Sequence, residues 1–421
     1  MGCGLWRNTW AFLEVAPLYR EREMSTERQN GISKVVLWAA IAASMAGILF
    51  YNIMPLYLGS LQDATGLSGG QIGIVASVFF LGFNLVSAST FFWVRHAPIR
   101  LTTVGCMTAL AILFPASALV TAYPAILLFT FLIGGASGAL GSIAATIVSA
   151  SEESAKWFGI KVGAESAAGV ILLFALPATL IPAFGFMGTV MGSSAMILLL
   201  LPAVILIGNG ELGTLAEPES TRETHTNVSP WAVWLALAAS LVVFFGGSAI
   251  WAFEERIANL NQYDPVWVGL VLGISLIFAV FGSLAAGPLG ARFSMRTSFA
   301  IGAAFMVAGV AAIGAAPSAT IFAIGAISFM VGWGAAVPFL YAKIAETDPD
   351  GRHITLAIPA IGIGSMFGPA IAGVLYSSGS LQVLQFMAIA MIVVSVGLVW
   401  LTGRDTQKTG LSENVVHSGI S

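Results

Sequence analysis

Residues 266–296 read VWVGLVLGISLIFAVFGSLAAGPLGARFSMR. As far as Pro288 the stretch carries no charged side chain, and as a helix it is long enough to cross roughly 30 Å of hydrocarbon. Arg292 and Arg296 then follow one helical turn apart. An apolar run closed by cations is the pattern of a membrane-spanning helix that ends at a water-facing surface. Working outward, runs of the same kind lie near 35–57, 71–93, 101–121, 124–148, 159–182 and 186–208, and again near 231–253, 266–288, 298–316, 318–342, 354–376 and 381–402. Composition agrees, with 57% apolar and 9% charged residues, against roughly 25% charge in a soluble domain. The expected class is an all-α membrane protein with twelve transmembrane helices.

The basic residues orient it. Arg95, Arg100, Lys156, Lys161, Arg222, Arg292, Arg296, Lys343 and Arg352 fall on alternate loops, and only Arg256 falls on the other set. That asymmetry predicts a multi-pass protein of the cell membrane with both termini cytoplasmic. The expected division is a tail (1–33), a six-helix half (34–208), a polar cytoplasmic linker (209–229), a second six-helix half (230–403) and a tail (404–421). The first 33 residues lack the apolar core of a signal peptide, and Met24 opens a polar stretch that makes it an alternative start.

Several classes of function are disfavoured. A net charge of −3 without a basic block argues against a nucleic-acid partner. Cys3 and Cys106 are the only thiols, with no metal-ligand spacing, so neither a metal nor another cofactor is expected. The four histidines, His96, His225, His353 and His417, fall in predicted cytoplasmic loops or the tail, which leaves no histidine relay through the membrane. There is no phosphate-cradling loop, and no nucleophile with a base, so neither an ATP-driven pump nor an enzyme is expected. The expected partners are a small solute, the lipid bilayer and protons, and the expected state is a monomer.

Two halves of similar length suggest internal duplication, supported where Phe131-Leu132-Ile133-Gly134 resembles Phe329-Met330-Val331-Gly332. The loop Gly287-Pro288-Leu289-Gly290-Ala291-Arg292-Phe293-Ser294-Met295-Arg296 resembles the Gly-x-Leu-x-Asp-Arg-x-Gly-Arg-Arg loop of the major facilitator superfamily, with Ala291 in place of the Asp. Phe131 stands about where drug-antiporter relatives place an Arg. The resemblance covers roughly Ser33 to Thr402. It implies two pseudo-symmetric six-helix bundles around a central cavity, and secondary active transport of a small organic solute by alternating access, with proton coupling. The alternatives are a facilitative uniporter or drug-type exporter, or a non-transporting receptor or channel.

Ionisable residues within the bilayer are costly, so those that remain are functional candidates. Glu165, with Lys161 one turn earlier, reads either as an interfacial salt bridge or as a proton-coupling carboxylate. Glu254, Glu255 and Arg256 follow Trp251 near the outer end of helix 7. Two adjacent carboxylates cannot face one direction, and because Glu255 shares a face with Trp251 it is expected to be the cavity-facing, proton-coupling member, with Arg256 as outer gate. Tyr51, Asn52, Asn84, Trp251, Glu254, Trp333 and Tyr341 are candidate cavity residues. Without counter-charges among them, a neutral, weakly charged or aromatic solute fits better than a multiply charged anion. Gly287, Arg292, Arg296 and Lys161 are candidates for a cytoplasmic gate, the arginines serving equally well as a topology anchor. Helix-end acids such as Glu153, Glu346 and Asp348 are expected to meet water.

Overall fold

The computed structural model describes residues 32–94, 96–151, 153–205, 231–315, 318–348 and 356–403. Among these residues lie twelve helices long and apolar enough to cross a membrane. They are α1 (Lys34–Thr65), α2 (Gly69–Trp93), α3 (Ile99–Ser117), α4 (Tyr123–Ser149), α5 (Ser154–Ala175), α6 (Phe186–Val204), α7 (Ala232–Leu260), α8 (Pro265–Arg292), α9 (Met295–Ala315), α10 (Ala319–Thr347), α11 (Ala357–Ser377) and α12 (Leu381–Leu401). After α5 the crossing continues through a π-helical turn, Leu176–Leu180, and a short helix, Ile181–Phe184. The expected linker, residues 1–31 of the N-terminal tail, the C-terminal tail, Arg95, Arg222 and Arg352 lie outside the described residues.

Local chemistry sets the helix ends. The Ser33 hydroxyl accepts the Val36 N–H at 3.3 Å, Ser68 and Gln71 cap each other reciprocally, and Asp264 accepts the Trp267 N–H at 2.9 Å just before Pro265. Gly66 ends α1 in the left-handed region, at φ 67°. Three helices overrun the ends expected from sequence. The runs expected to end near 57, 253 and 342 continue as α1 to Thr65, α7 to Leu260 and α10 to Thr347. Each is packed along the extension: Leu56, Tyr57, Leu58 and Leu61 are all buried, and a proline inside a packed membrane helix is tolerated.

Hydroxyls serve the backbone as an apolar solvent demands. Thr103 donates to the Ile99 carbonyl at 2.7 Å and Thr130 to that of Ile126 at 2.8 Å. Between helices, Thr189 donates to Ser60 at 2.9 Å and Ser194 to the Ala111 carbonyl at 2.6 Å. Large side chains such as Leu199, Phe386 and Phe281 face outward, as lipid contact requires, and Trp38, Trp231 and Trp400 stand exposed toward the helix ends nearest the chain termini.

The helices form two six-membered bundles. In the first, α2 packs on α4, and α1 on α4, α5 and α6; in the second, α8 and α9 pack on α10, and α7 on α11 and α12. Glycines reveal the internal symmetry. Gly82 of α2 sits on the Phe131 carbonyl and Gly282 of α8 on that of Val331, while Gly134 of α4 sits on the Phe79 carbonyl and Gly334 of α10 on that of Ala279. Each pair repeats with one shift along the chain, 82 to 282 and 134 to 334. This corrects the register suggested by the short match of Gly134 with Gly332, because close backbone approach at the crossing, rather than the neighbouring residue types, defines equivalence.

Candidate functional site

The bundles meet through three helix pairs, α1–α7, α2–α11 and α5–α8, whereas α4 and α10 form no packed pair. The approaches concentrate on the face away from the chain termini, here called the far face. A Cβ on Gly73 of α2 would overlap the Pro369 carbonyl of α11 and lie 3.1 Å from the Gly373 Cα; one on Gly273 of α8 would lie 2.6 Å from a ring carbon of Phe174, on α5. The two crossings are related by the internal symmetry. Glycine is needed at both because backbone meets backbone or ring across the bundle boundary.

At the far end of α1 and α7 an ionic clasp ties the bundles together. Arg256 donates from Nη1 to Asp63 Oδ1 at 2.7 Å and from Nη2 to Asp63 Oδ2 at 3.2 Å. Its Nε and Nη2 also reach the two oxygens of Glu255, at 2.5 and 2.8 Å. The guanidinium is buried with a side-chain exposure of 5%, Glu255 retains 13% and Asp63 63%. Gly59 of α1 makes room, since a Cβ there would collide with Glu255 and with Arg256 Nη2. Asp63 was invisible as a site residue in the sequence because the expected helix stopped at 57. The signal that could have found it was the i, i+4 spacing from Gly59 on an uninterrupted α1.

Beneath the clasp lies a cavity of about 210 Å³ lined from both bundles. Ile48 and Tyr51 of α1 and Phe79, Phe80, Phe83 and Asn84 of α2 form one wall; Phe244 of α7, Trp333 of α10, and Ile361, Gly362 and Ser365 of α11 form the other. The aromatic rings are locked by one another. Tyr51 meets Phe80 edge-on with centroids 6.0 Å apart, and Trp333 meets Phe244 at 4.7 Å. Asn84 donates its amide N–H to the Phe80 carbonyl at 2.7 Å, which fixes the side chain.

Of the cavity candidates read from sequence, Tyr51, Asn84 and Trp333 line it. The others lie elsewhere. Asn52 is buried and donates to the Glu165 carbonyl at 2.8 Å; Trp251 is buried and donates its indole N–H to the Tyr51 carbonyl at 2.9 Å. Both serve packing, because a buried donor must find an acceptor. Tyr341 is 44% exposed toward the opposite end of α10, its position displaced by the longer helix. Glu254 is fully buried, and neither carboxyl oxygen has a hydrogen-bond partner. Neither of the adjacent acids lines the cavity: Glu255 pairs with Arg256, and Glu254 is the enclosed one. The phenylalanines were missed because a Phe in an apolar run carries no signal until its neighbours across the bundle boundary are known.

On the face nearest the termini, Lys161 Nζ lies 2.6 Å from Glu165 Oε1, each side chain 13% exposed, and the Ser44 hydroxyl of α1 donates to the same oxygen. The i, i+4 pair expected from sequence therefore forms and is anchored to α1. Arg296 stacks over Trp400 at 5.3 Å and Arg292 is exposed, while a Cβ on Gly287 would meet nothing within 4 Å among the described residues. Two helix-end acids depart from expectation. Asp348 is buried, and Glu346 pairs with the buried Lys343 at 2.6 Å, since that lysine must have its charge balanced. Glu153 does meet water, and the Lys156 ammonium 2.8 Å away holds its carboxyl below the usual range.

No family model and no curated protein matches the chain. Solved structures do match. The nucleoside transporter NupG superposes with a TM-score of 0.67 at 14% identity, covering 88% of this chain and 98% of that one. A bacterial homologue of the human lysosomal transporter Spinster, inward-facing and unoccupied, gives 0.65 at 14% over 88% and 98%, and its occupied form 0.62 at 15% over 88% and 96%. Two six-helix bundles around a shared cavity are thus the fold that this chain has in common with those transporter structures.

Proposed function

We propose that this protein is a secondary transporter that carries a small organic solute across the cell membrane by alternating access, and that its solute is uncharged or weakly charged and bears an aromatic or heteroaromatic ring. The observation that carries the reading is the aromatic cavity shared by both bundles beneath a clasp on the far face. Rings stacked on both walls recognise a planar apolar group, while Asn84 and Ser365 supply the few polar contacts. The cavity wall holds no Asp, Glu, Lys, Arg or His, so a multiply charged anion would lose its hydration without compensation. With termini in the cytoplasm, as the basic loops suggest, the clasped far face is the outside, the conformation is inward-facing, and Arg256 belongs to the outer gate. Residues 34–208 and 230–403 are the two moving bodies, joined by 209–229. Lys161, Gly287, Arg292 and Arg296 are then placed to close the cytoplasmic side in the other half of the cycle. Nothing in this reading calls for a cofactor, a nucleic acid or an enzymatic step.

Purified protein in liposomes tests this by counterflow of radiolabelled aromatic and heteroaromatic solutes, with nucleosides as one arm because NupG is a nucleoside transporter. Saturable exchange of at least one ring-bearing solute is expected, with Trp333→Ala weakening its half-saturation by a factor of about two to ten, as loss of one aromatic stack of roughly 0.5–1.5 kcal/mol implies. Exchange restricted to sugars or phosphorylated anions would reject the solute class. Proton coupling is part of the proposal, with Glu165 and Glu255 as intramembrane carboxylates within reach of the cycle. Glu165→Gln, which removes the carboxylate while keeping its size, is expected to change the pH dependence of solute accumulation. An unchanged pH profile would remove Glu165 from coupling. The uncharged cavity wall equally favours a facilitative uniporter, and solute accumulation that ignores an imposed proton gradient would select it.

A further inference from the structure

Glu254 is 0% exposed, and no donor reaches either carboxyl oxygen. It lies six residues before the end of α7, about 9 Å from the far face at the helical rise. Every helix packed against α7 can be searched for a partner. Over their far-face halves α8, α9, α10 and α12 carry no Asp, Glu, Lys, Arg, His or Tyr within the helix. Helix α11 brings Tyr376, whose ring lies against Phe253 with centroids 5.4 Å apart. Helix α1 brings Tyr51, edge-on to Phe80; Tyr57, whose hydroxyl lies 3.5 Å from that of Ser117; and Asp63, held by Arg256. On α7 itself, Arg256 is committed to Asp63 and Glu255. An ionised carboxylate in this enclosure would be shut off from bulk solvent with no donor among the described residues, so the neutral acid is the form the closed far face can hold.

Opening would change its surroundings. Trp251, one turn earlier on the same side of α7, is pinned to the Tyr51 carbonyl of α1, and the clasp residues follow directly in the chain. Parting α1 from α7 opens the clasp, which lies between Glu254 and the far-face water, and releases Trp251 on the inner side of Glu254. We propose that Glu254 is a proton-binding site that controls the far-face gate: the bundles close there when its carboxylate has taken a proton from solvent, and the proton returns to water when they part. This rests on the alternating-access reading. The closed form then binds one more proton than the open form, so the closed-to-open ratio falls as pH rises, by up to tenfold per pH unit once the open form ionises. Titration of the clasp would act with the opposite sign, since protonating Asp63 or Glu255 weakens their hold on Arg256 and opens the face in acid.

Spin labels at Ala64→Cys and Ser378→Cys, exposed positions at the far-face ends of α1 and α11, with Cys3 and Cys106 replaced by serine, read the gate by pulsed electron resonance in lipid nanodiscs without solute. Between about pH 5.5 and about pH 8.5 the short-distance population is expected to fall several-fold in the otherwise unaltered protein, to stay high throughout in Glu254→Gln, and to keep its slope with a moved midpoint in Glu254→Asp. A flat profile before substitution, opening in acid, or a Glu254→Gln profile that still titrates in the same way would each overturn the proposal. Should Glu254→Gln fail to fold, an unmoved midpoint in Glu254→Asp overturns it and a moved one supports it. Because no solute is present, a failed transport panel and a failed gate titration are separate results.

Discussion

Gly73→Leu is expected to yield a folded protein that cannot close its far face. The glycine lies where α2 crosses α11, and even a methyl group would overlap the Pro369 carbonyl and crowd Gly373, both backbone atoms of the other bundle. Overpacking of this kind costs about 1–3 kcal/mol. The protein can relieve the clash without unfolding by letting the bundles part, so the penalty falls on one conformation alone. A shift of about 1.4 kcal/mol already changes the closed-to-open ratio tenfold, and transport should fall by at least that factor. Thiol labelling of Ser377→Cys, whose native hydroxyl accepts the Gly70 N–H at 2.7 Å across the boundary, should rise in parallel. Gly134→Leu provides the contrast. Its clash with the Phe79 carbonyl lies inside the first bundle, where no rigid-body motion helps, so thermal stability is expected to drop instead. Equal melting losses in the two variants, or normal transport by Gly73→Leu, would refute this assignment of the crossing.

Arg256→Gln should release the same face by a different route. The substitution deletes the two-toothed bond to Asp63 and leaves the Glu255 carboxylate, 13% exposed, without its cation. Removing one partner from a buried pair costs about 3–5 kcal/mol, but Asp63 keeps 63% of its side chain in water and recovers much of its hydration, so about 1–3 kcal/mol against closure is the reasonable range. Far-face labelling should therefore increase several-fold or more, while Asp63→Asn, which keeps one oxygen to accept from Arg256 and leaves Glu255 to balance its charge, should do less. Labelling of Arg256→Gln no higher than that of the unaltered protein would mean that glycine packing alone closes the face.

The two variants separate the sources of closure, and both act at pairs of residues that no linear reading brings together. Asp63 and Arg256 stand on different bundles, as do Gly73 and Gly373. The different surroundings of Glu254 and Glu255 have the same origin. Helical periodicity says only that adjacent side chains diverge by about 100°, and choosing which one meets the clasp requires knowing where α1 lies.

Much of the architecture was nonetheless legible in one dimension. A bilayer forces every spanning segment to satisfy its own backbone as a helix, so each uninterrupted apolar run, such as 266–288, became one crossing, and twelve runs made twelve helices. The Lys161–Glu165 pair was equally readable because its partners are one turn apart on a single helix. Local hydrogen bonding and hydrophobicity decide such features, and both act along the chain. Helix ends near Pro55 and Glu254, the ring-lined cavity, the clasp and the isolation of Glu254 were decided only when two bundles packed together, because burial and charge pairing depend on what arrives from the other half of the chain.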